Sequence, residues 1–193
     1  MARDDGRWPP VYDADDLVDQ IKDLTSREDF EARFYEWRRD RATVPLDDVC
    51  QGDVVELASD VPVMGDDGLP GVISNNTRMW MVLGNTCDFY RDLDDCRWTQ
   101  IAPLVDLGGP EPDPALRDAL RRYSQFRRFY VPPWRDSAEQ SYHVVELPLM
   151  VSIDKRAFPE AARVQARLSR PAWVLLNACL VRFLARDDGR YAA

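Results

Sequence analysis

Met79-Trp80-Met81-Val82-Leu83-Gly84-Asn85-Thr86-Cys87-Asp88 is the stretch on which the reading of the fold turns. Its first five residues are all apolar. The run is too short for a helix and suits a strand buried on both faces. Gly84 to Asp88 then break it with small and polar residues, so a rigid strand delivers polar groups to a surface. Upstream, Asp53-Val54-Val55-Glu56-Leu57-Ala58 reads as a strand opened by Gly52. Residues 59–77, rich in Gly, Pro, Asp and Asn, read as loop. Downstream, Trp98 to Val105 reads as another strand, in which Pro103 predicts an edge or a bulge.

Further out, residues 108–112 form a turn-rich break. Asp113 is a predicted N-cap and Pro114 a first helical residue, with Leu116, Ala119, Leu120 and Tyr123 on the apolar side. Residues 127–131 and 142–147 read as strands and 150–153 as a short third one. Ser169 caps a last helix whose stripe is Trp173, Leu176, Leu180, Phe183 and Leu184, with Gly189 just past its end. At the other terminus, Asp13 caps a helix over 13–24 that carries Leu17, Val18, Ile21 and Leu24 on one face. A second helix is predicted from Ser26, with Phe30, Phe34 and Trp37 at i, i+4 and i+7. Arg38, Arg39 and Arg41 fall in its last turn and Pro45 ends it. Residues 1–48 thus form an N-terminal helical hairpin whose stripe must be buried, on the following domain or on another chain. Residues 49–193 form the second unit. The whole is an α+β chain: a small, mostly antiparallel β domain at about 50–155 with an inserted helix, bracketed by helices.

Of the 193 residues, 45% are hydrophobic and 31% charged, which suffices for a core and excludes a disordered or fibrous chain. No window approaches eighteen uncharged apolar residues, and the first ten residues hold no apolar run, so a cytoplasmic, non-membrane protein is expected. Four cysteines without a Cys-x-x-Cys pair, and His143 as the one histidine, speak against a disulfide scaffold and a zinc ribbon. The net charge of −9 is divided: −6 over residues 1–48, −8 over 49–111 and +5 over 112–193. That excludes a surface coated uniformly by nucleic acid and leaves open a local basic face in the last 82 residues. Simple neutralisation between the parts is the plainer account.

Cys87, beside Asn85 and Asp88, has the makings of a nucleophile, but a reactive thiol needs a cation or a base nearby. Only His143 is available, and nothing in the sequence places it there. The plainer reading makes Cys87 a small buried hydrophobe and Asp88 a turn former, or the pair part of a non-covalent binding loop. His143, between Tyr142 and Val144, reads as a packed strand residue. No metal or other cofactor is expected: there is no second histidine, and no Walker loop, Rossmann fingerprint or Gly-x-Ser-x-Gly elbow occurs. Tyr123, Phe126, Arg127, Arg128, Phe129, Tyr130 and Trp134 form a group able to stack bases and pair phosphates. The alternative is aromatics in the core and solvated arginines.

Several pieces, taken in order, resemble the PemK/MazF family of bacterial toxins. They are Gly52-Asp53-Val54-Val55; Arg78 before the strand Met79 to Leu83 and the turn Gly84-Asn85-Thr86; Ile101-Ala102-Pro103-Leu104-Val105; Asp154-Lys155-Arg156; and Leu168-Ser169. The likeness spans roughly residues 52–186 and leaves out the N-terminal hairpin and the inserted helix. It implies an SH3-like barrel, commonly a homodimer, that cuts single-stranded RNA without a metal. An arginine there stabilises the charged phosphorane and a nearby polar group assists. Arg78 matches the arginine. The threonine position holds Val105, or Leu104 one place along, and Met79 stands where the family has proline. The expectation is therefore a degenerate barrel serving as a binding or assembly subunit of a toxin–antitoxin or phage-defence type system. Its partner would be an antitoxin or another subunit, with single-stranded RNA and a second copy of the chain as the others. The alternatives are an active endoribonuclease centred on Arg78, Asn85 and Thr86, and a thiol enzyme using Cys87 and His143. Cys87, Asp88, Arg127, Arg128 and Trp134 are the candidate binding residues.

Overall fold

The computed structural model describes residues 14–26, 29–37, 46–57, 60–64, 68–74, 78–107, 113–134, 142–156, 158 and 162–184. In chain order these form α1 (Ala14–Thr25), β1 (Tyr35–Trp37), β2 (Val54–Glu56), β3 (Asp60–Met64), β4 (Pro70–Ser74), β5 (Met79–Val82) and α2 (Thr86–Phe89). They continue as β6 (Trp98–Asp106), α3 (Pro114–Arg121), β7 (Arg128–Val131), β8 (His143–Glu146), β9 (Val151–Asp154), β10 (Arg163–Leu168) and α4 (Arg170–Leu184). The fold is α+β, with a mostly antiparallel sheet and a C-terminal helix.

The unbroken apolar run is β5, held between β2 and β6 and antiparallel to both. Its side chains divide as a strand's must: Trp80 and Val82 enter one core cluster, Met81 and Leu83 the other. Each face of the sheet is therefore covered. The larger cluster joins β5, β7 and β8 to α4 through Leu175, Leu176 and Cys179, and reaches back to Ile21, Leu24, Phe30 and Phe34. The smaller one holds Val55, Trp80, Ile101, Ile153 and Phe158.

The sheet runs in the order β1-β10-β2-β5-β6-β9-β3-β4, with β8 and β7 as a branch from β6. The branch explains Pro103, which the sequence places at an edge or bulge and which sits instead in a strand bonded on both sides. β6 pairs with β9 up to Ile101↔Val151 and with β8 from Leu104↔Val145 onward, so Pro103 falls where that side changes partner. Its missing N–H interrupts no ladder there.

Four expectations need correction. First, over the described residues 29–37 the second N-terminal helix does not form. Arg33 N donates to the Asp29 carbonyl (3.0 Å), one helical turn, and the chain then extends into β1. β1 pairs with β10 through Tyr35↔Leu168 and Trp37↔Arg167, and the Ser169 N–H donates to the Phe34 carbonyl. A helix this short is marginal alone, and an open strand edge offers backbone bonds that replace its own. Second, the expected loop over 59–77 contains the β3–β4 hairpin, paired from Asp60↔Ser74 to Met64↔Pro70. Pro70 is tolerated because β4 ends the sheet. Third, β10 lies outside the strands read from the sequence, although Arg163-Val164-Gln165-Ala166-Arg167-Leu168 alternates polar and apolar without a break. Fourth, the sheet is open rather than a closed barrel among the described residues: β1 and β4 end its path.

Asp113 caps α3 as read, its carboxylate accepting from Ala115 N, with Pro114 first in the helix. Ser169 precedes α4 as expected and its carbonyl accepts from Trp173 N. Its hydroxyl, however, donates to the Arg33 carbonyl (2.6 Å) and ties the helix start to the N-terminal segment. The expectations on Asp13, Arg38, Arg39, Arg41, Pro45, residues 108–112 and Gly189 lie outside the described residues.

Gly84 is required by contact. A Cβ there would stand 2.0 Å from Thr99 Oγ1 and 3.2 Å from the Gln100 backbone nitrogen. Gly84→Ala is expected to cost about 1–3 kcal/mol, the usual range for overpacking. Thr99 Oγ1 is buried without a hydrogen-bond partner, so Thr99→Ala removes the clash without orphaning anything. Urea unfolding should show the double variant losing less than the sum of the single ones; strict additivity would place the clash elsewhere.

Candidate functional site

Arg78 stands just before β5, exposed, with its carbonyl accepting from Leu57 N (2.9 Å). Its guanidinium has no ion pair among the described residues. The β5–β6 register runs from Val82↔Ile101 to Trp80↔Pro103. Arg78 stands two residues before that ladder begins, and Val105, 41% exposed, pairs with Val144 of β8. Of the two positions singled out by the motif order, one is an exposed arginine and the other an exposed aliphatic residue. Asn85 and Thr86 are not part of that site. They lie at the other end of β5, seven and eight residues on, roughly 20 Å away at the rise of a strand.

Around Gly84 to Asp88 the polar groups are spent on holding the turn. Gln51, nearly buried, is the hub: its backbone N–H donates to Thr86 Oγ1 (3.0 Å) and its amide nitrogen to the Leu83 carbonyl (2.9 Å). Trp173 of α4 donates its indole N–H to Gln51 Oε1 (2.9 Å). Asn85 occupies the N-cap position of α2, exposed and without a side-chain capping bond. Beneath this turn, Lys155 is fully buried and donates Nζ to the carbonyls of Asp88 (2.6 Å) and Arg91 (3.4 Å). A cation at the carboxyl end of a helical turn is favourably placed.

Cys87 is exposed, not the buried hydrophobe expected. No dyad with His143 forms. The turn lies beside Gln100, where Gly84 N bonds the Gln100 carbonyl, while His143 pairs with Asp106 six residues along β6, again roughly 20 Å off. His143 is buried against Trp134, ring centroids 4.6 Å apart. Trp134, offered by the sequence as a binding residue, is itself only 4% exposed. Tyr123, Phe129 and Tyr130 are buried too, Tyr123 giving its hydroxyl to the Tyr130 carbonyl (2.9 Å). Their place in an aromatic core cluster removes them from any ligand. Arg127, Arg128 and Phe126 remain exposed, and Arg128 Nε pairs with Glu146 Oε1 (2.7 Å).

The segments that carried the family likeness have local structural reasons. Gly52 adopts φ +90°, and a Cβ there would meet Leu168 Cδ1 at 2.8 Å. Asp53 is fully buried and accepts from Nε and Nη2 of Arg167 (2.8 and 2.9 Å) and from Cys50 N (2.9 Å). Burial pushes the Asp53 carboxyl above its ordinary value and the guanidinium draws it partly back; the same pair holds Arg167 firmly protonated. Burial and the nearby Asp53 carboxylate raise the Cys50 thiol. At Asp154 burial also opposes ionisation, but hydrogen bonds from Arg156 and Arg97 outweigh it and hold the carboxyl down to about 2. Among the described residues no group of three His, Cys, Asp or Glu side chains is placed to hold a metal ion, and no helix is long and apolar enough to cross a membrane. No protein-family model matches the chain, and no curated protein matches it.

Proposed function

We propose that the chain is a PemK/MazF-like subunit that has lost RNA cleavage and acts by binding, in the cytoplasm, within a bacterial toxin–antitoxin or phage-defence type assembly. The order of its motifs supports the family reading. The observation that carries the loss of cleavage is the side chain of Val105, aliphatic and exposed on β6 where the family likeness expects a threonine. A guanidinium can offset charge on a phosphorane, but cleavage also needs a group that moves a proton. Val105 has none to give, and Thr86, roughly 20 Å off, already accepts from the Gln51 N–H. An antitoxin or another subunit of the system is the proposed partner, and a second copy of the chain would complete a family-type dimer. The exposed guanidinium of Arg78, without an ion pair among the described residues, is what favours the second reading, an active endoribonuclease.

The test is incubation of single-stranded RNA in EDTA with wild type and Arg78→Ala. The expected outcome is no cleavage by the wild type above the variant. An active enzyme would instead lose about 10²–10³ in rate with Arg78, the usual weight of one transition-state contact, and would overturn the proposal.

A further inference from the structure

The carboxyl ends of α1, α3 and α4 converge on a groove of about 660 Å³, within the range of sites that take one small molecule. Its lining holds Lys22, Arg121, Arg122 and Arg182 against a single described acid, Asp118, in a chain whose net charge is −9. Part of this charge has a local purpose. Lys22, Arg121 and Arg182 each lie in the last turn of their helix, where a cation offsets the negative end of the dipole. A helix end carries only about half a charge, so it does not consume its cation. Lys22 meets Asp19 (3.3 Å), but both side chains are exposed and such a pair is worth little. Arg121 is held more firmly, by Glu31 at 2.7 Å. Arg122 has no ion pair among the described residues. Arg182 gives one N–H to the Ser124 carbonyl (3.0 Å) and keeps the rest of its guanidinium.

The turn that carries Arg122 is fixed by burial on its other side. Tyr123, the next residue, is the non-glycine residue among the described ones with a positive φ, +48°. A left-handed tyrosine is disfavoured and persists only where its surroundings over-determine it. Here the ring is buried against Phe129 and Tyr130, and the hydroxyl donates to the Tyr130 carbonyl (2.9 Å). One residue further on, Ser124 takes the bond from Arg182. Arg122 and Arg182 are thus tied to one turn, from the α3 side and from the α4 side.

Charge and shape together select a ligand. Guanidinium groups favour phosphate and carboxylate, and a surplus of cations favours the phosphate monoester, which carries about two charges at neutral pH. The aliphatic stems of Lys22 and the arginines, with the buried Ile21, give the groove apolar walls for an organic body. We propose that this groove binds a small organic phosphate monoester, the phosphate held by Arg122 together with Arg182 and the organic part lying on the aliphatic stems. The site is separate from Arg78 and goes beyond the binding role proposed above, since it gives the chain a small-molecule ligand whatever protein it joins. Cleavage that depends on Arg78 would end that proposal and leave this one to be judged by the groove's own residues.

The experiment is isothermal titration calorimetry of the full chain, in a phosphate-free buffer with EDTA, with phenyl phosphate, inorganic phosphate and benzoate as probes. Phenyl phosphate is expected to bind at one site per chain and more tightly than either of the others, since inorganic phosphate lacks the organic body and benzoate the second charge. Arg122→Glu should weaken its binding by about ten-fold or more, the weight of one charge-assisted contact, and Arg122→Lys should keep part of the affinity. Arg182→Gln should weaken it by a similar factor of about ten. Arg91→Glu makes the same charge change as Arg122→Glu at an exposed site elsewhere and should have little effect. The Arg122 side chain is exposed, so its variants should keep the wild-type melting transition. No binding of phenyl phosphate, an equal loss in Arg91→Glu and Arg122→Glu, or benzoate binding as tightly would overturn the proposal. So would an oligouridylate that binds through Arg122 where phenyl phosphate does not, which would make the groove a polymer site.

Discussion

Replacing Phe34 by alanine is expected to destabilise the protein by about 3–5 kcal/mol, the range for removing a buried phenyl ring from a core. Phe34 is fully buried. Its ring meets Phe30 edge-on at 5.4 Å, Tyr35 at 5.0 Å and Phe129 of β7 at 6.1 Å, so its loss empties a junction between the N-terminal segment and the sheet. Domains of this size have a total stability of about 5–15 kcal/mol, so the variant should approach unfolding at growth temperature. Urea unfolding with a constant m-value would measure the loss, and a cost below about 1 kcal/mol would show that the ring does not pack as described. Removal of residues 1–44 should be more damaging still. It strips β1 from the edge of β10 and uncovers the α4 face beneath Ile21 and Leu24. Of the stripe that needed shelter, Ile21, Leu24, Phe30 and Phe34 find it on their own chain.

The second large effect is expected close by on β10, at Arg167, which pairs with Trp37 of β1. Arg167→Leu leaves the fully buried Asp53 carboxylate with the Cys50 N–H as its remaining described hydrogen-bond donor, and should cost about 3–5 kcal/mol, as breaking a buried pair does. The pH dependence follows from the sign of the shift. Burial already raises Asp53 above its ordinary value, and without the guanidinium nothing comparable opposes it. A carboxyl raised in the folded state is a liability above its folded pKa, and the liability fades as pH falls through that value towards the unfolded one. The deficit of Arg167→Leu should therefore be larger at high pH, where Asp53 is ionised, and shrink on acidification as the carboxyl takes up a proton. The double variant Asp53→Asn/Arg167→Leu removes the unpaired charge and should recover part of the loss at neutral pH. A deficit independent of pH, with no recovery in the double variant, would show that the charge is not what is lost.

The α+β class, β2, β5, β6, the strands β7 to β9 and the helices α1, α3 and α4 are legible in the sequence because each carries its own period or cap. The unbroken apolar run of β5 and Asp113 before Pro114 are local signals that no tertiary contact had to override; of the stripe read for α4, Leu176, Leu180 and Phe183 are buried, while Trp173 and Leu184 are exposed. Other features were decided by contacts far along the chain. Phe30 and Phe34 sit at a helical spacing, yet both are buried by one turn followed by a strand, because β10 supplies the backbone bonds that a lone short helix lacks. Pro103 sits inside a central strand because β6 changes neighbour from β9 to β8 beside it, which a one-dimensional pattern does not record. The sequence could mark Arg127, Arg128 and Trp134 as a group but not divide them: packing against His143 buries the indole, while the arginines stay in solvent. The basic groove was visible only as an excess of positive charge over residues 112–193. Lys22 lies in the acidic N-terminal third, and it is the docking of α1 on α4 that brings it to Arg121, Arg122 and Arg182. Periodicity fixes which residues share an element, but only the closing of distant elements on a common core fixes which charges share a surface.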